Sequence, residues 1–259
     1  MRCARNNSGA DFGFRMSDLL WLALFIVLAC PVTAAPPQEV IQRYRDTKAK
    51  HEARLQEANL AWQYGRACFD LAEYATNNTE RAELAEQGIA TCRQAIARDP
   101  KSAPAHYYLG LNLGQLARTR GLSALKIIKE MEEAWLKAGE LDGRLDYAGP
   151  ERSLGMLYRD APRIASIGNR GKARQQLLRA VELEPNYPEN RLELIDSYLQ
   201  WNDRPAARRE LESLEKSLPA ARQQFKGPAW AANWREWDAR LETLKKKAAE
   251  SSKMETPRH

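Results

Sequence analysis

The sequence predicts an all-α fold made of repeated helix pairs, and three observations carry that prediction. Apolar positions are filled mainly by Leu and Ala, with Arg, Glu, Gln and Lys between them, a mixture of good helix formers. The Val/Ile/Thr alternation that a half-buried strand needs is absent. Residues also recur at a fixed interval: Ala173, Leu177 and Pro185 return 34 residues later as Ala207, Leu211 and Pro219.

The first element is a leader, residues 1–34. Leu19–Cys30 is an apolar run of twelve residues, short for a membrane span, which needs roughly twenty. Arg2, Arg5 and Arg15 precede it and small residues follow it, the layout of a secretory signal peptide cleaved after Ala34. Two other readings stand beside this one. The stretch IVLAC resembles a lipobox, in which Cys30 would be lipidated and become the mature N-terminus. Alternatively the apolar run stays uncleaved as an anchor. Met16 competes with Met1 as the start. The expectation is an exported protein, periplasmic or secreted, or held at the membrane as a lipoprotein.

Residues 35–228 hold the repeats. Thirty-four residues is the length of the tetratricopeptide repeat, a helix–turn–helix unit with the pattern W-x2-L-G-x2-Y, then A-x3-F, then P. Small residues let the paired helices approach, large ones fill the gaps between units, and proline ends the second helix. The first half of the pattern is found four times: Trp62, Gly65, Arg66, Phe69; His106, Leu109, Gly110, Leu113; Glu151, Leu154, Gly155, Tyr158; and Arg191, Leu194, Ile195, Tyr198. This alignment makes Arg66, Gly110, Gly155 and Ile195 equivalent, at intervals of 44, 45 and 40 residues. The second half is found at Gly88, Cys92, Ala95 and Pro100, weakly around Ile127, Met131 and Ala134, and clearly at Ala173 and Ala207. The insertions TNNTERAEL, RTRGLS, LDGRLDYAG and APRIAS are expected to lengthen helices or decorate one rim of an array of about four helix pairs.

Residues 229–250 close the array. Trp230, Trp234, Trp237, Leu241 and Leu244 alternate by four and three, which places them on one helical stripe. A terminal repeat must cover its apolar face, so this stripe is read as a capping helix. Residues 251–259 are expected to be a disordered tail.

Charge and chemistry narrow the function. The net charge is +6, and +5 without the leader, 37 basic against 32 acidic residues. Basic residues are interspersed except at Lys245–Lys247, so the stripe of a nucleic-acid binder is missing. Lys245–Lys247 is a solvated helix face or a contact for an anionic lipid surface. Of the cysteines outside the leader, Cys68 and Cys92 are either two buried free thiols or, in an oxidising compartment, a disulfide. Their spacing is unlike a zinc site. The chain has three histidines and no nucleophile elbow, phosphate-binding glycine loop or H-E-x-x-H. It therefore reads as no enzyme, with no catalytic residue, metal site or cofactor.

Binding remains. Stacked helix pairs curve so that the first helix of each unit lines a concave face. The repeat register places Tyr107 and Leu111 there from the second unit, Arg152, Met156 and Arg159 from the third, and Leu192, Asp196 and Leu199 from the fourth. A surface of this apolar and charged mixture suits a protein or peptide partner. The alternative is an apolar small ligand or lipid held in a central channel.

The segments DPKSAPAHYYLGLNLGQLARTRGLSALKIIKEMEEAWLKAGELD, GPERSLGMLYRDAP and AVELEPNYPENRLELIDSYL together resemble the periplasmic T-component of TRAP transporters. They are also similar to the regulator-of-microtubule-dynamics family, which shares long insertions and a closing P-N-Y-x-x-N-x-L element. The resemblance spans Leu60–Leu218. The first family implies a helical, often lipid-anchored periplasmic protein that binds a solute-receptor subunit and carries a channel through its middle. The second implies a eukaryotic or cytoskeletal setting, against which the secretory leader argues. Neither implies a catalytic residue.

Overall fold

The computed structural model describes residues 35–120, 124–162 and 166–250. The leader with Cys30, and the tail 251–259, lie outside the described residues. Ten α-helices follow one another, without a strand among the described residues: α1 Gln38–Ala53, α2 Ala58–Ala72, α3 Asn78–Arg98, α4 Ala103–Ala117, α5 Leu125–Leu141, α6 Leu145–Asp160, α7 Arg170–Leu183, α8 Pro188–Gln200, α9 Arg204–Gln224 and α10 Ala231–Glu250. A 3-10 turn, Pro228–Trp230, precedes α10. The chain is the expected helical-repeat solenoid.

Local chemistry sets the helix starts. Asn77 accepts from Glu80 N at 2.9 Å while Glu80 Oε2 accepts from Thr76 N at 3.0 Å, a reciprocal cap for α3. Asn169 accepts from Lys172 N at 2.9 Å to cap α7, and Asp203 accepts from Ala206 N to cap α9. Ser102 caps α4 with Pro104 in its first turn, where a missing N–H costs nothing. Pro219 departs from its expected role. It does not end the last unit but sits inside α9, which runs on to Gln224 and buries Ala221 and, beyond it, Phe225.

The helices pair as α2/α3, α4/α5, α6/α7 and α8/α9, and α2, α4, α6 and α8 also touch in succession as an inner layer. Each of the first three pairs crosses where a Cβ would not fit. One built on Gly65 would lie 2.3 Å from Cys92 Sγ, one on Gly110 2.4 Å from the Trp135 indole, and one on Gly155 2.5 Å from Leu177. Gly65, not Arg66, is therefore the counterpart of Gly110 and Gly155, and the three stand 45 residues apart. Ala61, Tyr64 and Cys68 then take the packing positions of the first unit and are buried. Trp62 and Phe69 are half-buried at the edge of the core clusters, and Arg66 is exposed.

Two helices frame the four pairs. α1 packs on α2 from the front, and α10 on α8 and α9 from behind. The tryptophan stripe behaves as its spacing predicts. Trp237, Leu241 and Leu244 are buried, with Trp230 and Trp234 partly buried against the same cluster. Of the two readings for the cysteines, the structure holds free, fully buried thiols. Burial pushes the Cys68 thiol up to about 12, so it stays protonated near neutrality and is a poor nucleophile.

Candidate functional site

Counting from Gly65, Gly110, Gly155 and Ile195, the inner layer presents residues three before and one after each. Three before stand Trp62, Tyr107, Arg152 and Leu192; one after stand Arg66, Leu111, Met156 and Asp196. The expected wall residues of units two to four all belong to this scheme, with Arg159 and Leu199 one turn further on.

The structure separates them. Tyr107, Arg152 and Leu192 are buried rather than part of an open wall, because the following unit closes over the first two and Leu192 packs in the cluster with Trp237 of α10. Tyr107 donates its hydroxyl to Asp146 Oδ2 at 2.8 Å. Arg152 donates to Asn190 Oδ1 at 2.8 Å and to the Tyr147 carbonyl at 3.1 Å, with its guanidinium 5.4 Å from the Tyr187 ring centre. Leu192 lies in the cluster that contains Trp237 and Leu241. Leu111, Met156, Asp196 and Leu199 are half-buried.

In the first unit, which has no expected wall residue, the inner layer opens into a cleft of about 370 Å³. Trp62, Arg66, Tyr108, Arg144, Asp146 and Tyr147 line it. The Trp62 and Tyr108 rings stack at 5.9 Å and 8°. The Arg66 guanidinium lies 5.6 Å from the Tyr108 ring centre with its side chain 47% exposed. Arg66 and Arg43 flank Asp70 at 3.7 and 3.2 Å. Burial nonetheless holds the Asp70 carboxyl above its usual range.

The far wall of the cleft is a backbone feature. Asp146, Tyr147 and Ala148 have φ of 50°, 56° and 61°, three consecutive left-handed residues, none a glycine. This conformation costs about 1–2 kcal/mol per residue. Tyr107 holds the Asp146 side chain, Arg152 and Asn190 donate to the Tyr147 carbonyl, and the Tyr147 ring stacks on Tyr187 at 4.5 Å. The next residue, Gly149, leaves room for the Tyr107 hydroxyl, which a Cβ would approach to 2.5 Å. The sequence signal for the first-unit wall was Gly65 itself, through its 45-residue spacing.

At the other end the inner layer is covered. Arg159, on α6, donates to Glu193 Oε2 at 2.9 Å and to Ser197 Oγ at 3.2 Å. Arg240, on α10, donates to Glu193 Oε1 at 2.7 Å and also to Glu189. The Trp237 indole N–H donates to Glu189 Oε2 at 2.8 Å, and Lys247 Nζ lies 3.9 Å from Asp196.

Among the described residues no cluster of three His, Cys, Asp or Glu side chains is placed to hold a metal ion. His51 is buried against the Tyr64 ring, and burial pushes its pKa down. His106 Nε2 meets the Pro100 carbonyl at 3.0 Å.

Comparison with known proteins fits this geometry. The family model of regulator of microtubule dynamics protein 1-3 matches residues 35–144, less than half of the chain. The chain matches no curated protein at a significant level. It is similar in structure to a thermophilic TPR protein of Thermus thermophilus, with 18% identity over 83% of this chain and 99% of that one and a TM-score of 0.56. It is also similar to the crystal structure of MamA, with 16% identity over 70% of this chain and 89% of that one and a TM-score of 0.51. At these identities the likeness is one of fold: the chain is a tetratricopeptide-like helical-repeat protein.

Proposed function

We propose that this protein is a non-catalytic scaffold that binds a protein or peptide partner at the open, N-terminal end of its concave face. The observation that carries the reading is the cleft beside Trp62. Two stacked aromatic rings, a half-exposed arginine and the Asp146 carboxylate converge there on a wall preset by buried hydrogen bonds. Rigid aromatic area beside charged groups is what binding hot spots are made of, and little side-chain freedom is lost on contact.

The leader supports an exported protein, and the resemblance to the TRAP T-component supports a transport accessory of the cell envelope whose partner is a solute-receptor subunit. Mature protein used as bait in an envelope extract is expected to retain that partner. Trp62→Ala and Arg66→Glu should each weaken retention at least tenfold while leaving the helical signal unchanged. Equal retention by both variants would remove the cleft as the site. Intact mass of the protein from its native envelope separates a start at Ala35 from a lipidated Cys30 and an uncleaved leader, and so tests export.

A further inference from the structure

We propose that the inner face of α8 is a binding surface for an amphipathic helix with basic residues beside its apolar stripe, that α10 is its resident occupant, and that a partner helix of the same chemistry takes its place. The inference rests on the reading of the concave face as the partner surface, and names a second stretch of it.

Position is the first argument. Of the helices that precede them, α4, α6 and α8 each pack more on the outer helix than on the inner one. α10 reverses this, packing more on α8 than on α9, so it is displaced toward the concave side. Its anchors on α8 agree. Glu189 is the counterpart of Pro104 and Asp196 of Arg66, and both Pro104 and Arg66 line the open cleft. α10 thus covers in the last unit the face that the first units leave open.

Chemistry is the second. α10 presents Trp237, Leu241, Leu244 and Ala248 as one buried stripe. Arg240 and Lys247, seven residues apart, flank the stripe and meet Glu189, Glu193 and Asp196. This is helix-in-groove recognition, with apolar anchors at helical spacing and charges fixing the register.

Release is the third. The segment before α10 contains Gly227 at φ 97°, with no atom within 4 Å of where a Cβ would stand. Glu193 is not stranded when α10 leaves, because Arg159 holds its other oxygen. For Glu193 the cost of an unpaired buried carboxylate is therefore avoided, whereas Glu189 loses Arg240 and Trp237, and α9 loses its Arg222–Asp238 and Glu215–Lys245 pairs, which the incoming helix must replace.

The probe is a labelled synthetic peptide spanning Ala231–Glu250, added to the mature full chain. It is expected to bind Arg240→Ala at least tenfold tighter than the unaltered protein, because the internal competitor is weakened. Hydrogen exchange on the unaltered protein provides a reading that needs no variant. Amides of α10 should exchange faster than those of α8, and faster still with excess peptide. Equal peptide affinity for the two proteins, or α10 amides as protected as those of α8 and unmoved by peptide, would overturn the proposal. So would dimerisation of Arg240→Ala without peptide binding, which assigns the face to a second copy. If the peptide fails while Trp62→Ala still loses the native partner, the cleft stands and only the displaceable helix falls.

Discussion

The Asn112 side-chain amide donates to the Gly65 carbonyl at 2.9 Å, tying α4 to α2 across 47 residues of chain. The same amide reaches the Tyr108 carbonyl at 2.8 Å, and Gly88 of α3 makes room for it: a Cβ there would stand 2.1 Å from Asn112 Oδ1. Gly88→Ala must push Asn112 out of a fully buried site. Overpacking and the lost hydrogen bonds together outweigh the helix-propensity gain, giving a net loss of about 2–3 kcal/mol. Urea unfolding checks this, and an unchanged midpoint would show that α3 moves aside freely.

The left-handed turn at 146–148 should respond in opposite directions to two substitutions. Ala148→Gly relieves the Cβ clash of that conformation, and should raise stability by about 1 kcal/mol. Tyr107→Phe removes the hydroxyl that donates to Asp146, and should lower it by about 1 kcal/mol. Denaturant titration of both variants separates strain from its restraint; a destabilised Ala148→Gly would deny that the turn is strained.

Glu151 is buried and its Oε2 has no hydrogen-bond partner. Burial holds its carboxyl above the usual range, so the charge is a liability in the folded state. Glu151→Gln should therefore be the more stable protein at neutral pH. The advantage should shrink as pH falls through the raised pKa and the native carboxyl takes up its proton. Thermal melts between pH 7 and pH 4 test the sign.

Glu193 behaves in the reverse sense. Burial works against its charge, but Arg240 and Arg159 overcome it and hold the carboxyl below the usual range. Its contribution is present above the ordinary glutamate pKa and is lost as pH falls through the depressed one. Glu193→Gln should cost about 1–3 kcal/mol at neutral pH, because the buried Arg159 and the half-buried Arg240 lose the carboxylate they share while keeping Asp160 and Glu189. The variant should also show a flatter acid limb than the unaltered protein. An acid limb of unchanged slope would place the proton uptake elsewhere.

Much of the fold was legible in residue spacing. The 34-residue return of Ala173 and Leu177 and the stripe from Trp237 to Leu244 mark helices that the structure holds in those faces. The site was less legible, for two physical reasons. Trp62 and Phe69 imitate the aromatic packing positions of the repeat, which moved the first unit by one residue. One residue is 100° of helix, enough to take Trp62 and Arg66 from the wall and bury them on paper. The turn at 146–148 gave no local signal, since Tyr and Ala are poor candidates for positive φ. Tyr107, Arg152 and Asn190, from three different helices, hold it together with the Tyr187 ring, and their convergence is a tertiary fact.

Residues on α7 divide between two cores. Ala173 belongs to the cluster built on Tyr107, Leu113 and Trp135, and Leu177, one turn later, to the cluster built on Leu192, Phe225 and Trp237. α7 is thus one joint between the two halves, beside Trp201, which packs on both clusters, and Arg152 and Arg159, which reach α8 directly. In an array held by nearest-neighbour contacts, unfolding is concerted only while each junction is strong. The cooperativity of the whole molecule passes through this junction: weakening α7 together with Trp201 and Arg152 would turn one melting transition into two, whereas an equal injury at either end would leave one.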